Sequence, residues 1–182
     1  MKTRSLIATA LLAQTLSLSL TLASALASDC KLNISLSPAG SFVAESQAVE
    51  VRGSTERNGD QFVAHNIAIK LDTLKTGIDL RDDHMKHKYL ETDKYPEAVL
   101  TQATGKGGNF TGELMVHGVK KPIQGTYKVV GDQFVCNFTA SINDFGIAKV
   151  KYMGVGVSDS VPVEISIPAA PMKGPAAAPA KM

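Results

Sequence analysis

The residues that can do chemistry are concentrated in one stretch, from Leu74 to Leu100. This segment holds carboxylates, lysines, an arginine and two histidines, namely Asp79, Arg81, Asp82, Asp83, His84, Lys86, His87, Glu91, Asp93, Lys94 and Glu97. His84 and His87 are spaced i and i+3, so on a helix they would share a face and could hold a metal ion with a carboxylate. The segment is therefore either a chemical site or a charged cap on a larger fold.

A metal-dependent enzyme built on His84 and His87 is the sharper of these hypotheses, but the sequence favours the cap. A metal site needs a third or fourth convergent ligand, and the remaining histidines, His65 and His117, are distant in sequence. The two adjacent aspartates would point about 100° apart on a helix, which makes them poor acid–base partners. We therefore expect a non-enzymatic protein with no metal and no cofactor.

Other catalytic signatures are missing from the sequence. It contains no G-x-S-x-G nucleophile elbow. It also contains neither a phosphate-binding loop nor a dinucleotide fingerprint. These observations favour binding over catalysis.

Residues 1–27 have the pattern of a secretory signal peptide. Two basic residues, Lys2 and Arg4, precede an uncharged run that ends in the small-x-small sequence Ala25-Leu26-Ala27. The alternative is an uncleaved membrane anchor, since the run is close to spanning length. Cleavage after Ala27 predicts a periplasmic or secreted protein that has no stable membrane insertion once the signal is removed.

Removing the signal also removes the excess of basic charge. Two of the 19 Lys and Arg residues lie in the signal, and the 17 that remain equal the 17 Asp and Glu residues. A neutral chain without Trp offers neither a basic surface for nucleic acid nor a stacking platform for bases or sugars. We expect no nucleic-acid partner.

Residues 28–167 read as strands and turns. Apolar and polar residues alternate in runs such as Cys30 to Leu36 and Phe134 to Ile142, which is the pattern of half-buried strands. About eight such runs follow one another at intervals near 8–12 residues, joined by turn sequences. This pattern predicts an all-β domain, an antiparallel barrel with one short helical insertion between Leu80 and Tyr89.

The apolar inward faces of this barrel are the candidate binding site, because a closed barrel of about eight strands can hold one small apolar ligand. The residues that we place inside are Ile67, Ile69, Leu100, Phe110, Leu114, Tyr127, Val129, Phe134, Phe138, Ile142, Val163 and Ile165. An ordinary packed core is the alternative interpretation of each of them. In this register His65 also faces inward, so we expect it to be a core histidine.

Two cysteines, Cys30 and Cys136, are candidates for a disulfide bond. In an oxidising compartment a cysteine pair more often forms a bridge than a site. The distance between them cannot be read from the sequence. The bridge is therefore a prediction that depends on the fold.

The last residues, 168–182, form a Pro/Ala-rich segment with neither strand nor helix pattern. Such composition is typical of a disordered tail or spacer. The predicted organisation is a signal over residues 1–27, one barrel domain over residues 28–167 and this tail.

Several short motifs, taken together, resemble the YceI-like family of exported, lipocalin-like proteins associated with polyisoprenoid lipids. In order along the chain they are Thr76-Gly77, Arg81-Asp82-x-His84, Tyr89-Leu90, Lys94-Tyr95-Pro96, Gly112-x-Leu114, His117-Gly118-Val119-x-x-Pro122, Asn143-Asp144-Phe145-Gly146 and Val157-Ser158-Asp159-x-Val161. Their order and spacing agree with the family over residues 71–167.

The resemblance implies a β-barrel with a helical cap around an elongated hydrophobic cavity. It implies the binding of a long polyisoprenoid or an isoprenoid quinone, for transport or storage, by a monomer or homodimer, and no enzymatic activity. The stretch from Cys30 to Arg52 departs from the family, because it lacks the usual His-Ser opening and the long second and third strands. A structural or stress-associated barrel with a filled core is therefore the alternative.

Overall fold

Antiparallel strands make up most of the structure, a computed structural model that describes residues 28–38, 40–58, 61–147, 151–152 and 155–169. The predicted signal peptide and the tail beyond residue 169 lie outside these ranges. The strands are β1 (Asp29–Ser37), β2 (Ser41–Ser46), β3 (Val49–Val51), β4 (Thr55–Asn58), β5 (Gln61–Lys70), β6 (Glu97–Lys106), β7 (Asn109–Val116), β8 (Val119–Val130), β9 (Gln133–Ser141), β10 (Lys151–Tyr152), β11 (Val155–Val157) and β12 (Ser160–Pro168).

The strands form one sheet that curls into a barrel. The strands β5, β6, β7, β8 and β9 pair in sequence order, with the cap between β5 and β6 and short turns between the others, and β12 then pairs with both β9 and β1. The predicted all-β antiparallel barrel is confirmed. The inward-facing side chains form a single apolar core.

Residues 41–58 close this barrel, because they pair first with β1 and then with β5, which lie far apart in the order of the sheet. The strand β2 pairs with β1, whereas β3 and β4 pair with β5. Near the crossing, the backbone N–H and C=O groups of Glu45 and Lys75 bond each other in both directions at 2.9 Å. We predicted about eight strands; the higher number arises because this one path is broken into three segments and because β10 and β11 form a small hairpin beside β1.

An ion-pair network covers the outer face next to this closure. The Arg52 guanidinium donates to both oxygens of Glu97 on β6, at 2.7 and 2.5 Å, and to Glu50 on β3. Lys70 lies 2.8 Å from the other oxygen of Glu50. Hydrogen bonding to Arg52 lowers the pKa of Glu97 below its usual value. The network therefore ties β3, β5 and β6 together from outside.

A left-handed residue in β5 reverses which side chains face inward. Asn66 has a φ of 54°, so His65 and Asn66 both face solvent, and the inward face passes from Phe62 and Ala64 to Ile67. The prediction of a buried His65 is wrong for this reason. Sequence alternation alone also missed Phe62, which is among the most buried side chains of the described structure.

The cap between β5 and β6 is only partly α-helical. It contains a 3₁₀ turn at Leu71–Thr73, the helix α1 at Asp79–Asp83 and π-helical turns at His84–Tyr89. The Leu90 N–H donates to the Met85 carbonyl five residues earlier, at 2.9 Å, which is the π pattern. Among the described residues, no helix combines the length and apolar character needed to span a bilayer.

The predicted disulfide does not form, because Cys30 and Cys136 are both free and buried. Cys30 is paired with Ile165 on β12, and Ile165 is paired on its other side with Cys136. Two strand spacings put the cysteine Cα atoms on the order of 10 Å apart, beyond the roughly 7 Å that a disulfide spans. The prediction of a bridge is therefore wrong.

Candidate ligand-binding lumen

Most of the residues that we predicted to face inward do line the barrel interior. Ten of the twelve are buried, and Ile142 packs against the core from the turn after β9. Val129 is instead 38% exposed. The pairing of β7 with β8 ends at Thr126, so Val129 has a neighbouring strand only on the β9 side.

Three further aromatic and aliphatic residues belong to the same interior. Phe62, Phe145 and Ile147 are buried in the core. Phe62 was missed because of the reversal at Asn66. Phe145 and Ile147 follow the last residue of β9 in a turn, where alternation gives no signal.

The lower end of the barrel, which holds the turns at residues 107–108 and 131–132, is filled by aromatic rings. The Phe62 ring centroid lies 4.6 Å from that of Tyr127, 4.9 Å from that of Phe134 and 6.2 Å from that of Phe110. Phe110 in turn meets Phe138 edge-on at 6.1 Å. We call these five residues the aromatic plug.

Glycines make room for the plug. Across five neighbouring strands the pairing runs Phe62, Gly105, Phe110, Gly125, Phe138, so that phenylalanine and glycine alternate. A Cβ atom on Gly105 would overlap the Phe62 ring, and one on Gly125 would lie 2.8 Å from the Phe110 ring. Each ring thus fills the space over a neighbouring glycine, a known way to stabilise glycine in sheets.

Towards the upper end, which holds the cap, the inward side chains of β1 and β9 become more exposed, whereas Ile69 on β5 and Val161 on β12 stay buried. Along β1, Cys30 is buried at 2% exposure, whereas Leu32, Ile34 and Leu36 are only half-buried. The same change occurs along β9, from the buried Phe134 to the half-buried Ala140. Beside β1 and β9 the apolar interior is therefore more accessible at the upper end than at the plug.

The strands β7 and β8 show the same increase in exposure towards the upper end. Val116 at the end of β7 and Val119 at the start of β8 are half-buried, whereas Leu114 and Ile123, which lie further from the turn between these strands, are buried. Three cap residues, Met85, Tyr89 and Leu90, pack against the apolar core. The upper lumen thus has mostly apolar walls and a partly apolar cover, and the half-buried Lys121, the strand partner of Leu114, occupies an inward position of β8.

One side of the cap is held by a buried carboxylate. Asp82 accepts hydrogen bonds from the Thr76 backbone N–H at 2.8 Å and from the Thr76 hydroxyl. Burial opposes ionisation of Asp82, but these two hydrogen bonds and Lys75 outweigh it, so the pKa of Asp82 lies below its usual value. The Arg81 guanidinium donates to the Thr76 carbonyl at 2.7 Å and lies 3.9 Å from the centroid of Phe42.

The other side of the cap is held by His117, in the turn between β7 and β8. Its Nε2 atom lies 2.9 Å from a carboxylate oxygen of Glu91, and its ring centroid lies 4.1 Å from that of Tyr95. Both His117 and Glu91 have positive φ, at 53° and 46°. The partner of His117 is thus a carboxylate of the cap, so this histidine joins the cap to the barrel rim.

The candidate metal residues do not converge. His87 is exposed and lies 3.3 Å from Asp93 and 3.7 Å from Asp83. Within the described ranges, no group of three or more His, Cys, Asp or Glu residues is arranged to hold a metal ion. Nothing in the cap thus supports the metal-dependent alternative.

Two concavities lie on the outer surface of the sheet. One, of about 280 Å³, spans β1, β12 and β9, and the other, of about 510 Å³, spans β6, β7 and β8. Both are lined largely by outward polar side chains, such as Asn33 and Thr139 in the first and Thr104 and Thr111 in the second. The first is also lined by Phe138 and the second by Phe110, both of which belong to the aromatic plug.

An antiparallel barrel with an apolar interior under a polar cap is the architecture of lipocalin-like proteins. The chain belongs to the YceI-like family, because residues 27–169 match the family model described as YceI-like domain. Curated relatives called UPF0312 protein, from Pseudomonas savastanoi pv. phaseolicola and Pseudomonas syringae, are 36% identical over 98 residues, which is 45% of this chain. The match spans 51% of those relatives, about half their length.

Solved structures have the same fold. A polyisoprenoid binding domain from Saccharophagus degradans superposes with a TM-score of 0.52 at 15% identity, covering 76% of this chain and 91% of that domain. BcnA from Burkholderia cenocepacia superposes with a TM-score of 0.54 at 12% identity, covering 75% and 94% of the two chains. At these identities the likeness concerns the fold.

Proposed function

We propose that this protein binds an isoprenoid lipid, or a quinone with an isoprenoid tail, in the upper lumen of its barrel. The observation that carries the proposal is the increase in exposure of inward apolar side chains from Cys30 to Leu36 along β1, together with a cap whose Met85, Tyr89 and Leu90 pack against the core. Each isoprenoid CH₂ group buried there contributes about 0.8 kcal/mol before ordering costs. No catalytic group is required for such binding.

Family membership supports the same class of ligand. The structural neighbour from Saccharophagus degradans is described as a polyisoprenoid binding domain. The signal pattern of residues 1–27 supports work in the periplasm or outside the cell, where transport or storage of a lipid would need a sheltered cavity. The lipid would be carried by a monomer or homodimer.

Polar groups at the upper rim are suited to a lipid headgroup. Arg81 lies over Phe42 near the upper end of β2, and His117 lies at the upper end of β7. Ligand pockets of this kind combine apolar walls with a few placed polar groups. The tail would be held by the lumen and the headgroup by the rim.

A barrel with a filled core and no ligand is the second candidate. The aromatic plug favours it, because five rings occupy the lower interior. The two candidates differ at the upper end of the barrel. In the lipid-binding barrel this end is open to a lipid, whereas in the filled-core barrel side chains close it.

Native purification followed by organic extraction and mass spectrometry tests the proposal. The protein is purified without detergent from the compartment into which it is exported, and the extract is compared with that of an unrelated exported protein. Co-purified isoprenoid in about one copy per chain supports the proposal. Protein that is free of lipid and takes up neither prenols nor isoprenoid quinones from vesicles would establish the filled-core barrel instead.

A further inference from the structure

The aromatic plug gives the lumen a floor. On β9, the floor is formed by Phe138, whose strand neighbours are Gly125 on β8 and Val163 on β12. Below it, Phe134 is 1% exposed. A ligand that enters under the cap therefore stops at the level of Phe138.

The height of the lumen above this floor can be read from the strands. Strand pairing joins Phe138 through Val163 to Leu32, and the upper end of β1 follows four residues later at Leu36. In a barrel with tilted strands such a row of paired residues climbs along the axis. Here it climbs towards the cap, because Glu45 of the next strand, β2, pairs with Lys75 at the base of the cap. The four residues of β1 span roughly 13 Å along the strand, or about 10 Å along the barrel axis after strand tilt, and the two strand spacings add about 6 Å, so the rim lies about 16 Å above Phe138.

This height accommodates only a short isoprenoid chain. Each isoprene unit adds four chain carbons, or roughly 4–5 Å at bond lengths near 1.5 Å. About three units therefore reach from the rim to the floor. A much longer chain would have to leave part of its length outside the cap, in water.

We infer that the aromatic plug, with Phe138 as its upper face, determines ligand length and selects isoprenoids with tails of about three units. Gly105 and Gly125 are part of this device, because they let the rings cross the lumen. This inference rests on the proposed function. It narrows the ligand from any isoprenoid to a short one.

The test is competitive capture from phosphatidylcholine vesicles that contain equal amounts of farnesol, with three isoprene units, and solanesol, with nine. The full protein is equilibrated with the vesicles, separated from them, extracted and assayed for both prenols by mass spectrometry. The wild-type protein is expected to hold farnesol in excess of solanesol by on the order of tenfold. Equal capture of the two would overturn the inference and leave the proposed function standing.

Phe138→Ala provides the causal test, because it lowers the floor without touching the rim. It is expected to raise the solanesol-to-farnesol ratio by on the order of tenfold. Val43→Ala, on the outer face of β2, is the matched control and should leave the ratio unchanged. Phe138→Leu, a smaller change, replaces Phe138→Ala if circular dichroism shows that the alanine variant is unfolded.

The outcomes distinguish two claims: that the aromatic plug determines ligand length, and that the protein binds isoprenoids at all. A folded Phe138 variant with an unaltered ratio overturns the plug as the determinant of length. Failure of the wild-type protein to capture either prenol refutes the proposed function itself. If neither Phe138 variant folds, the wild-type ratio alone decides whether short chains are selected.

Discussion

The ring of Phe62 occupies the space that a Cβ atom on Gly105 would need. The two residues are direct partners across β5 and β6, so the fit is a cross-strand one. Tyr127 lies on the far side of the same space, with its ring 4.6 Å from that of Phe62. The packing of the lower barrel thus depends on the absence of a side chain at residue 105.

Gly105→Ala is therefore expected to destabilise the protein although it adds a single methyl group. Overpacking of a filled core costs about 1–3 kcal/mol, because the rings must leave their preferred positions. The measurement is the midpoint of urea unfolding. Thr104→Ala, at the neighbouring outward position, is the control and should shift the midpoint little. Equal stability of Gly105→Ala and wild type would mean that the rings are not fixed.

Ile34→Glu is expected to abolish prenol capture, because it puts a carboxylate on the apolar wall of the upper lumen. Ile34 is half-buried and inward-facing, and burying a charge without a partner is costly. Val43→Glu is the matched control, since Val43 faces outward one residue along from Phe42, the strand partner of Ile34. Capture is measured by the vesicle assay with farnesol. Comparable loss in both variants would argue against the lumen as the site.

Replacing both His84 and His87 with Gln is expected to leave farnesol capture within about twofold of wild type. His87 contacts only exposed carboxylates among its described partners, and surface pairs of this kind contribute little. Metal analysis of protein purified without chelator accompanies the assay. Stoichiometric metal in the wild type that is lost in the double variant would reinstate the metal-dependent alternative.

Asp82→Asn is expected to lower the thermal midpoint at neutral pH, because the carboxylate is the better acceptor for both Thr76 donors. The loss should be on the order of 1 kcal/mol, since a charged hydrogen bond is replaced by a neutral one. The pKa of Asp82 is below its ordinary 3.8 in the folded protein, so its stabilisation is present above pH 3.8 and is lost as the pH falls below that value. Thermal melts from pH 7 to pH 3 should therefore converge; a constant difference would show that charge is not involved.

Both cysteines should resist modification in the folded protein. Burial, together with Asp29, raises the pKa of Cys30 to about 12, and burial alone raises that of Cys136 to about 12, so the reactive thiolate is scarce. A thiol reagent such as a maleimide is expected to label neither residue until denaturant is added, and then both. A reducing agent should not change the melting temperature. Labelling of one thiol under native conditions would contradict the buried placement.

The sequence was sufficient to predict the strands, the cap and the family, because each depends on local alternation, turn chemistry or ordered motifs. Phe138, Ile165 and their neighbours face inward as predicted, since their strands keep a regular period over their whole length. The motif residues His117 and Tyr95 contact each other between barrel and cap.

Three other features depend on geometry that no local sequence pattern encodes: the inward face of β5, the separation of the cysteines and the floor of the lumen. The φ of Asn66 reverses the inward face of β5, which concealed Phe62. The separation of Cys30 from Cys136 follows from the insertion of β12 between β1 and β9, a long-range pairing. The floor of the lumen likewise arises from glycines and phenylalanines that become neighbours only when five strands are aligned.

The first and last strands of the domain, β1 and β12, meet at the lower end of the barrel, where Asp29 is paired with Ser166. The Ala169 N–H there donates to the Asp132 carbonyl in the turn between β8 and β9, at 2.7 Å. A biotin, a fluorescent protein or a sensor surface attached next to Asp29 or Ala169 would consequently sit opposite the cap. Immobilised in this way, every molecule would present its capped end to the solution, which would give the proposed lipid binding an oriented surface assay.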